Sequence, residues 1–240
     1  MKLFSNVKKK CFSLLIGLLV LIALPLQAQE RFVFSAMIDS QVMDTAEIVI
    51  KEAYQRLGID VDVSKFPGRR SMATSNSGET DGELARIIHI DKEFKNLIRV
   101  PVPVYTMESV AATKNTELLR WKAEHLTQYK VGRVSGVIWS EKLTREMNTV
   151  VADDYKALLN MMFYGRMDIV LGARASLLSK SKELNLKGVK ILEPPINEVS
   201  VYHYLHKKHI DFVPKVAKVL QEMTQEGRIK QIKEDVVLAF

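Results

Sequence analysis

Pro67-Gly68-Arg69-Arg70-Ser71, followed by Gly78-Glu79-Thr80-Asp81-Gly82-Glu83-Leu84-Ala85-Arg86, is the stretch on which the reading of this chain turns. Residues 69–76 can form a short helix that Ser77-Gly78 ends, and residues 81–88 return to an extended pattern. Upstream, residues 31–38 read as a strand, and residues 44–57 carry Ala46, Val49, Ile50, Ala53, Tyr54 and Leu57 at helical spacing. Asp44 with Glu47 resembles a capping box and Gly58 a helix stop, before a second short strand over 61–66. This β–α–β opening favours parallel strands with a helical crossover.

Downstream, residues 97–104 form a strand in which Pro101 and Pro103 suit an edge or a crossing segment. Residues 105–113 stay extended up to the polar Lys114-Asn115. The alternation then repeats: strands are expected over 129–134, 149–152 and 167–171, and helices over 136–147, 153–164 (N-capped by Asp153) and 173–184. Residues 189–192 run as a strand into Glu193-Pro194-Pro195, a natural second crossing. A strand over 199–205 and helices over 211–226 and 228–234 complete the order. The simplest reading is α/β: two lobes, each a small mostly parallel sheet flanked by helices. The expected boundaries are 29–112 for lobe 1, 113–195 for lobe 2 and 196–240 for the return to lobe 1.

At the N-terminus, Lys2, Lys8, Lys9 and Lys10 precede an apolar run from 11 to 24 that stops at Pro25. A membrane span needs about 20 apolar residues, whereas the core of an export signal needs roughly 7 to 15. Residues 1–28 therefore read as a cleavable signal peptide cut after Ala28, and the mature chain as periplasmic. Cys11 is the only cysteine, so cleavage leaves no thiol nucleophile, disulfide or cysteine metal ligand. It also lowers the formal charge from +7 to +3, since 31 basic residues then face 28 acidic ones. No basic stripe with interleaved aromatics is present, so nucleic acid is not an implied partner. His203, His206 and His209 are three apart, but two fall on a predicted strand without an acidic or cysteine partner, so no metal is expected.

The opening stretch, read as P-x-x-R-S then G-x-x-D-G-E-x-x-R, resembles a branch of the bacterial extracellular solute-binding protein family 3. That family has the type II periplasmic binding protein fold of polar amino-acid ABC transporters. Gly165-Arg166-Met167-Asp168-Ile169-Val170 is similar to its second-lobe G-R-x-D-x-V segment, so the resemblance spans essentially the whole mature chain.

Arg86 emerges where a guanidinium could clamp a carboxylate with two parallel hydrogen bonds, and the resemblance implies that role for it. Arg70 is the second candidate. Ser135 and Gly136, between a strand and a helix start, offer a hydroxyl and free backbone N–H groups to an anion; Ser135 could equally be a plain N-cap. Amino-acid binders of this family carry an acid just after the G-R-x-D-x-V strand, and here that place reads Leu171-Gly172-Ala173-Arg174. An ammonium partner would then have to come from Asp39 or Glu108. Phe34, Tyr105 and Trp139 could be aromatic walls, or core.

The resemblance thus implies capture of a small carboxylate-bearing solute, without catalysis or cofactor, by a monomer that closes on hinges near 110–115 and 193–199. The closed form would meet an ABC permease or a membrane sensor. The alternatives are a sensing or interaction module with a degenerate cleft, and a cyclohexadienyl-dehydratase-like enzyme drawing on Glu83, Glu108 or His89.

Overall fold

A computed structural model describes residues 31–120 and 122–238; the expected export signal lies outside the described residues. The opening β–α–β unit is present: β1 (Arg31–Met37), α1 (Gln41–Gln55) and β2 (Asp60–Phe66), with β1 and β2 parallel. Helix α1 starts three residues before the expected capping box. Gln41, Val42 and Met43 are buried, so tertiary packing extends the helix past Asp44, whose carboxylate instead pairs with Lys65 at 2.7 Å.

Helix α2 (Gly68–Ser77) ends on Gly78, which takes the left-handed conformation with φ 86°. Strands β3 (Gly82–Ile87) and β4 (Leu97–Thr113) follow, then β5 (Val131–Val134) and α3 (Ile138–Leu143). The remaining elements are β6 (Val150–Ala152), α4 (Tyr155–Phe163), β7 (Ile169–Ala173), α5 (Arg174–Glu183), β8 (Lys190–His206), α6 (Val213–Gln225) and α7 (Arg228–Leu238). Helix α3 is six residues long, where twelve were expected. Asp154 rather than Asp153 caps α4, accepting from the Ala157 N–H at 2.7 Å.

The eight strands lie in the order β2-β1-β3-β8-β4-β7-β5-β6. Two three-stranded parallel ends, β2-β1-β3 and β7-β5-β6, are joined by the antiparallel pair β4 and β8. Each of these is a single 17-residue strand, where the sequence suggested broken ones. The prolines explain the expectation. Pro101 and Pro103 fall where β4 is paired only with β8, because β7 joins it from Ser109 onward, and the ladder shifts register there. Residues 193–196 are the second interruption, between Asn197 and Leu192 in the β8 register.

His203 is buried in the core of the first half against Phe34 and Tyr54, its ring 3.1 Å from both the Tyr54 hydroxyl and the Leu84 carbonyl. Burial pushes its pKa down from 6.5 to about 4. Between those values the unfolded chain takes up the proton and the folded chain does not, so stability is full above 6.5 and falls as pH drops toward 4. The slope is at most about 1.4 kcal/mol per pH unit. His203→Gln should flatten the pH dependence of urea unfolding across that window; curves parallel to those of the unmodified chain would contradict the assignment.

Candidate functional site

Four connections converge between the two halves of the sheet, at the ends of β1, β3, β5 and β7. They bring Met37 and Ser40, Arg86, Gly136 and Trp139, and Ala173 around one cleft. The space they enclose is about 40 Å³.

Arg86 is in this cleft, only 6% exposed. Its Nε donates to Glu83 Oε1 at 2.6 Å, and Glu83, fully buried, also accepts from the hydroxyls of Ser71 and Ser75 at 2.8–3.0 Å. Residues three apart on a regular strand point to opposite faces. Here β3 advances from Glu83 to Arg86 while β8 advances only from Tyr204 to Tyr202. This bulge turns Arg86 onto the face of Glu83. Burial pushes the Glu83 carboxyl above the usual carboxylate range, and the Arg86 guanidinium and two serine hydroxyls oppose that. The remaining guanidinium nitrogens donate to the carbonyls of Gly68 at 3.2 Å and Gly136 at 3.3 Å. One arginine thereby ties β3 to the turn before α3.

The turn itself is also satisfied from within. Gly136, at φ 81°, gives its N–H to Glu141 Oε1 at 2.8 Å. Glu141 also accepts from Arg133 at 3.3 Å and from Arg69, which lies on α2 across the cleft. Helix α3 begins past Ser135, which does not cap it. Gly68 and Gly136 meet backbone to backbone. A Cβ added to Gly68 would lie 2.7 Å from the Ser135 carbonyl oxygen, and one on Gly136 would lie 2.5 Å from the Gly68 carbonyl carbon.

The other expected site residues divide. Trp139 lines the cleft, 8% exposed, and its Nε1–H has no hydrogen-bond partner among the described residues. Asp39, at φ 53°, is not part of the cleft lining and pairs with Lys180 of α5 at 3.0 Å, while Glu108 lines a separate groove and pairs with Arg174. Both acids considered for an ammonium thus already hold cations of the chain. Ala173 faces the cleft where the resemblance implies an acid, and Arg174 turns away to bind Glu108 and Glu193. Arg70 is exposed, its guanidinium 5.4 Å from the Phe66 ring, and is not part of the cleft lining. Tyr105 is buried but lines a separate groove beside the cleft. Phe34 belongs to the core around His203.

Sequence reasoning missed Gly68, Glu141 and Lys180. An acid in the first turn after the Gly136 turn was the available signal for Glu141, since such carboxylates complement free N–H groups. The His203, His206 and His209 rings do not converge, and no group of three or more side chains suited to a metal ion is found among the described residues. No described helix is long and apolar enough to cross a membrane.

No family model matches the chain. A relative, an uncharacterized protein of Shewanella oneidensis, is 27% identical over 206 residues, covering 81% of this chain and 76% of its own. Among solved structures, a mutant of ArgBP from T. maritima superimposes with a TM-score of 0.75 at 14% identity, over 87% of this chain and 95% of that one. A histidine kinase sensor domain described as similar to periplasmic binding proteins gives 0.76 at 13% identity, over 86% and 96%. AbpA of Streptococcus pneumoniae, an amino acid ABC transporter substrate-binding protein bound to L-arginine, gives 0.70 at 17% identity, over 86% and 94%. At such identities the likeness speaks for the fold, and with the convergent cleft it identifies this chain as a two-lobed protein of the type II periplasmic binding protein fold.

Proposed function

We propose that the protein is an exported, non-catalytic binding module whose cleft is occupied by its own groups and which works through contact with a membrane-bound protein partner. The observation that carries this reading is the cleft volume of about 40 Å³ between the touching backbones of Gly68 and Gly136. The groups that would greet a carboxylate already hold one: Glu83 on Arg86 and Glu141 on the Gly136 N–H. The groups that would greet an ammonium hold Lys180 and Arg174. A free amino acid would have to displace several of these contacts at once. The likeness to both a transport protein and a kinase sensor domain is compatible with either class of partner.

One observation favours a second reading, capture of a small carboxylate for an ABC transporter. The Arg86 bond to the Gly136 carbonyl runs between the halves, so separating them frees one edge of the guanidinium. A thermal-shift screen of the chain from residue 29 onward against amino acids, small carboxylates and amines decides between the two. Melting points unmoved by all of them are expected. A ligand at 100 times its Kd adds about 2.7 kcal/mol, so a clear rise with any compound would overturn the first reading. Loss of that rise in Arg86→Ala would then assign the carboxylate to Arg86.

A further inference from the structure

Beside the hinge, and separated from the cleft by Met107, is a groove of about 590 Å³. Its walls come from both halves: Gln41 and Thr45 on α1, Tyr105 to Glu108 on β4, Arg174 to Lys182 on α5, and Lys233 and Val236 on α7. That volume is typical of sites for small organic ligands, which are mostly apolar with a few placed polar groups. The floor fits the description. Leu178, a large apolar side chain left 46% exposed, projects here with Leu186 and the Tyr105 ring beside it.

The charge on the walls has one sign. Lys182, Lys187 and Lys233 stand on the lining, and its one acid, Glu108, is neutralised by Arg174. Lys182 and Lys187 are exposed and form no ion pair among the described residues. Lys233 sits 5.2 Å from the Tyr105 ring and, among the described residues, donates to the Thr106 carbonyl at 3.3 Å and forms no ion pair. An apolar floor under unpaired ammonium groups is complementary to a molecule with an apolar body and one anionic end.

We infer that this groove is a second binding site, for a monomeric amphipathic anion whose acidic head meets Lys182, Lys187 and Lys233 and whose body covers Leu178, Leu186 and Tyr105. Because α1 and α5 belong to different halves, an occupant touches both. The three lysines that would hold the head play no part in the Arg86 cleft or its contacts, so the site is tested apart from the function proposed above.

Dodecanoate, titrated calorimetrically below its micelle-forming concentration, is the probe. Saturable one-to-one binding is expected, with dodecanol weaker by at least about tenfold because it lacks the charge. Lys182→Glu with Lys233→Glu should weaken dodecanoate by a similar factor, and Leu178→Asp, at a half-exposed position, should do the same through the floor. Lys156→Glu with Lys218→Glu, which changes net charge equally on remote exposed positions, should leave the affinity unchanged. Equal binding of dodecanol, undiminished binding by the groove variants, or an equal loss in the remote variant would overturn the inference. So would co-sedimentation with phosphatidylglycerol vesicles while monomeric dodecanoate gives no heat, since the occupant would then be a membrane surface.

Discussion

Glu83→Ala is expected to lower the unfolding free energy by about 3–5 kcal/mol, the usual cost of leaving a buried charge without its partner. Glu83 is fully buried, and its two oxygens collect the Arg86 Nε–H and the hydroxyls of Ser71 and Ser75. Removing the carboxylate strands a guanidinium that is itself 6% exposed. The double variant Glu83→Leu, Arg86→Met should recover much of the loss, because a buried ion pair often exchanges for apolar side chains at little net cost. Urea unfolding measures both. A Glu83→Ala variant within about 1 kcal/mol of the unmodified chain, the scale of an exposed pair, would mean that the two charges are not coupled as described.

Gly136→Val should force the halves apart. At φ 81° a β-branched residue is strained by roughly 1–2 kcal/mol before any contact is counted. Its Cβ would also stand 2.5 Å from the Gly68 carbonyl carbon and 2.6 Å from the Arg69 nitrogen, both backbone atoms that cannot rotate aside. Separation of the two turns is the available relief, and it breaks the Arg86 bond to the Gly136 carbonyl as well. Small-angle scattering should report a larger radius of gyration with secondary structure retained by circular dichroism. An unchanged radius in a folded variant would show that the Gly68–Gly136 contact does not set the closure.

Much of the architecture was legible because it is periodic. Val49, Ile50, Ala53 and Tyr54 mark the buried face of α1, and strand and helix alternate as the pattern suggested. Boundaries failed where a local signal competed with burial: Asp44 and Glu47 imitate a helix start, yet Gln41 to Met43 are packed and extend α1 backward. The prolines of β4 and β8 suggested interrupted strands because a proline lacks an N–H, but they fall at places where the ladder skips a register.

Site residues were harder. Arg86, within β3, was reached through the family resemblance and Gly136 through its place in a turn. Their carboxylate partners could be reached by neither route. Glu83 lies three residues from Arg86, which strand alternation assigns to the opposite face, and only the bulge against β8 brings the two together. Lys180, in the middle of α5, reaches Asp39 solely through tertiary packing of the two halves. A chain can therefore display plausible ligand-binding groups in its sequence while its fold pairs several of them, here Arg86, Gly136, Asp39 and Glu108, with other side chains.

Closure by the protein's own contacts is tested most directly by a distance across the cleft. Spin labels at Lys95→Cys and Lys156→Cys, both exposed, suit the chain from residue 29 onward, which has no other thiol. Double electron–electron resonance without any added solute should give one narrow distance distribution, unchanged by amino acids or small carboxylates and lengthened by Gly136→Val. A long or broad distribution that shortens only when such a solute is added would contradict self-closure and restore the cleft as the solute site.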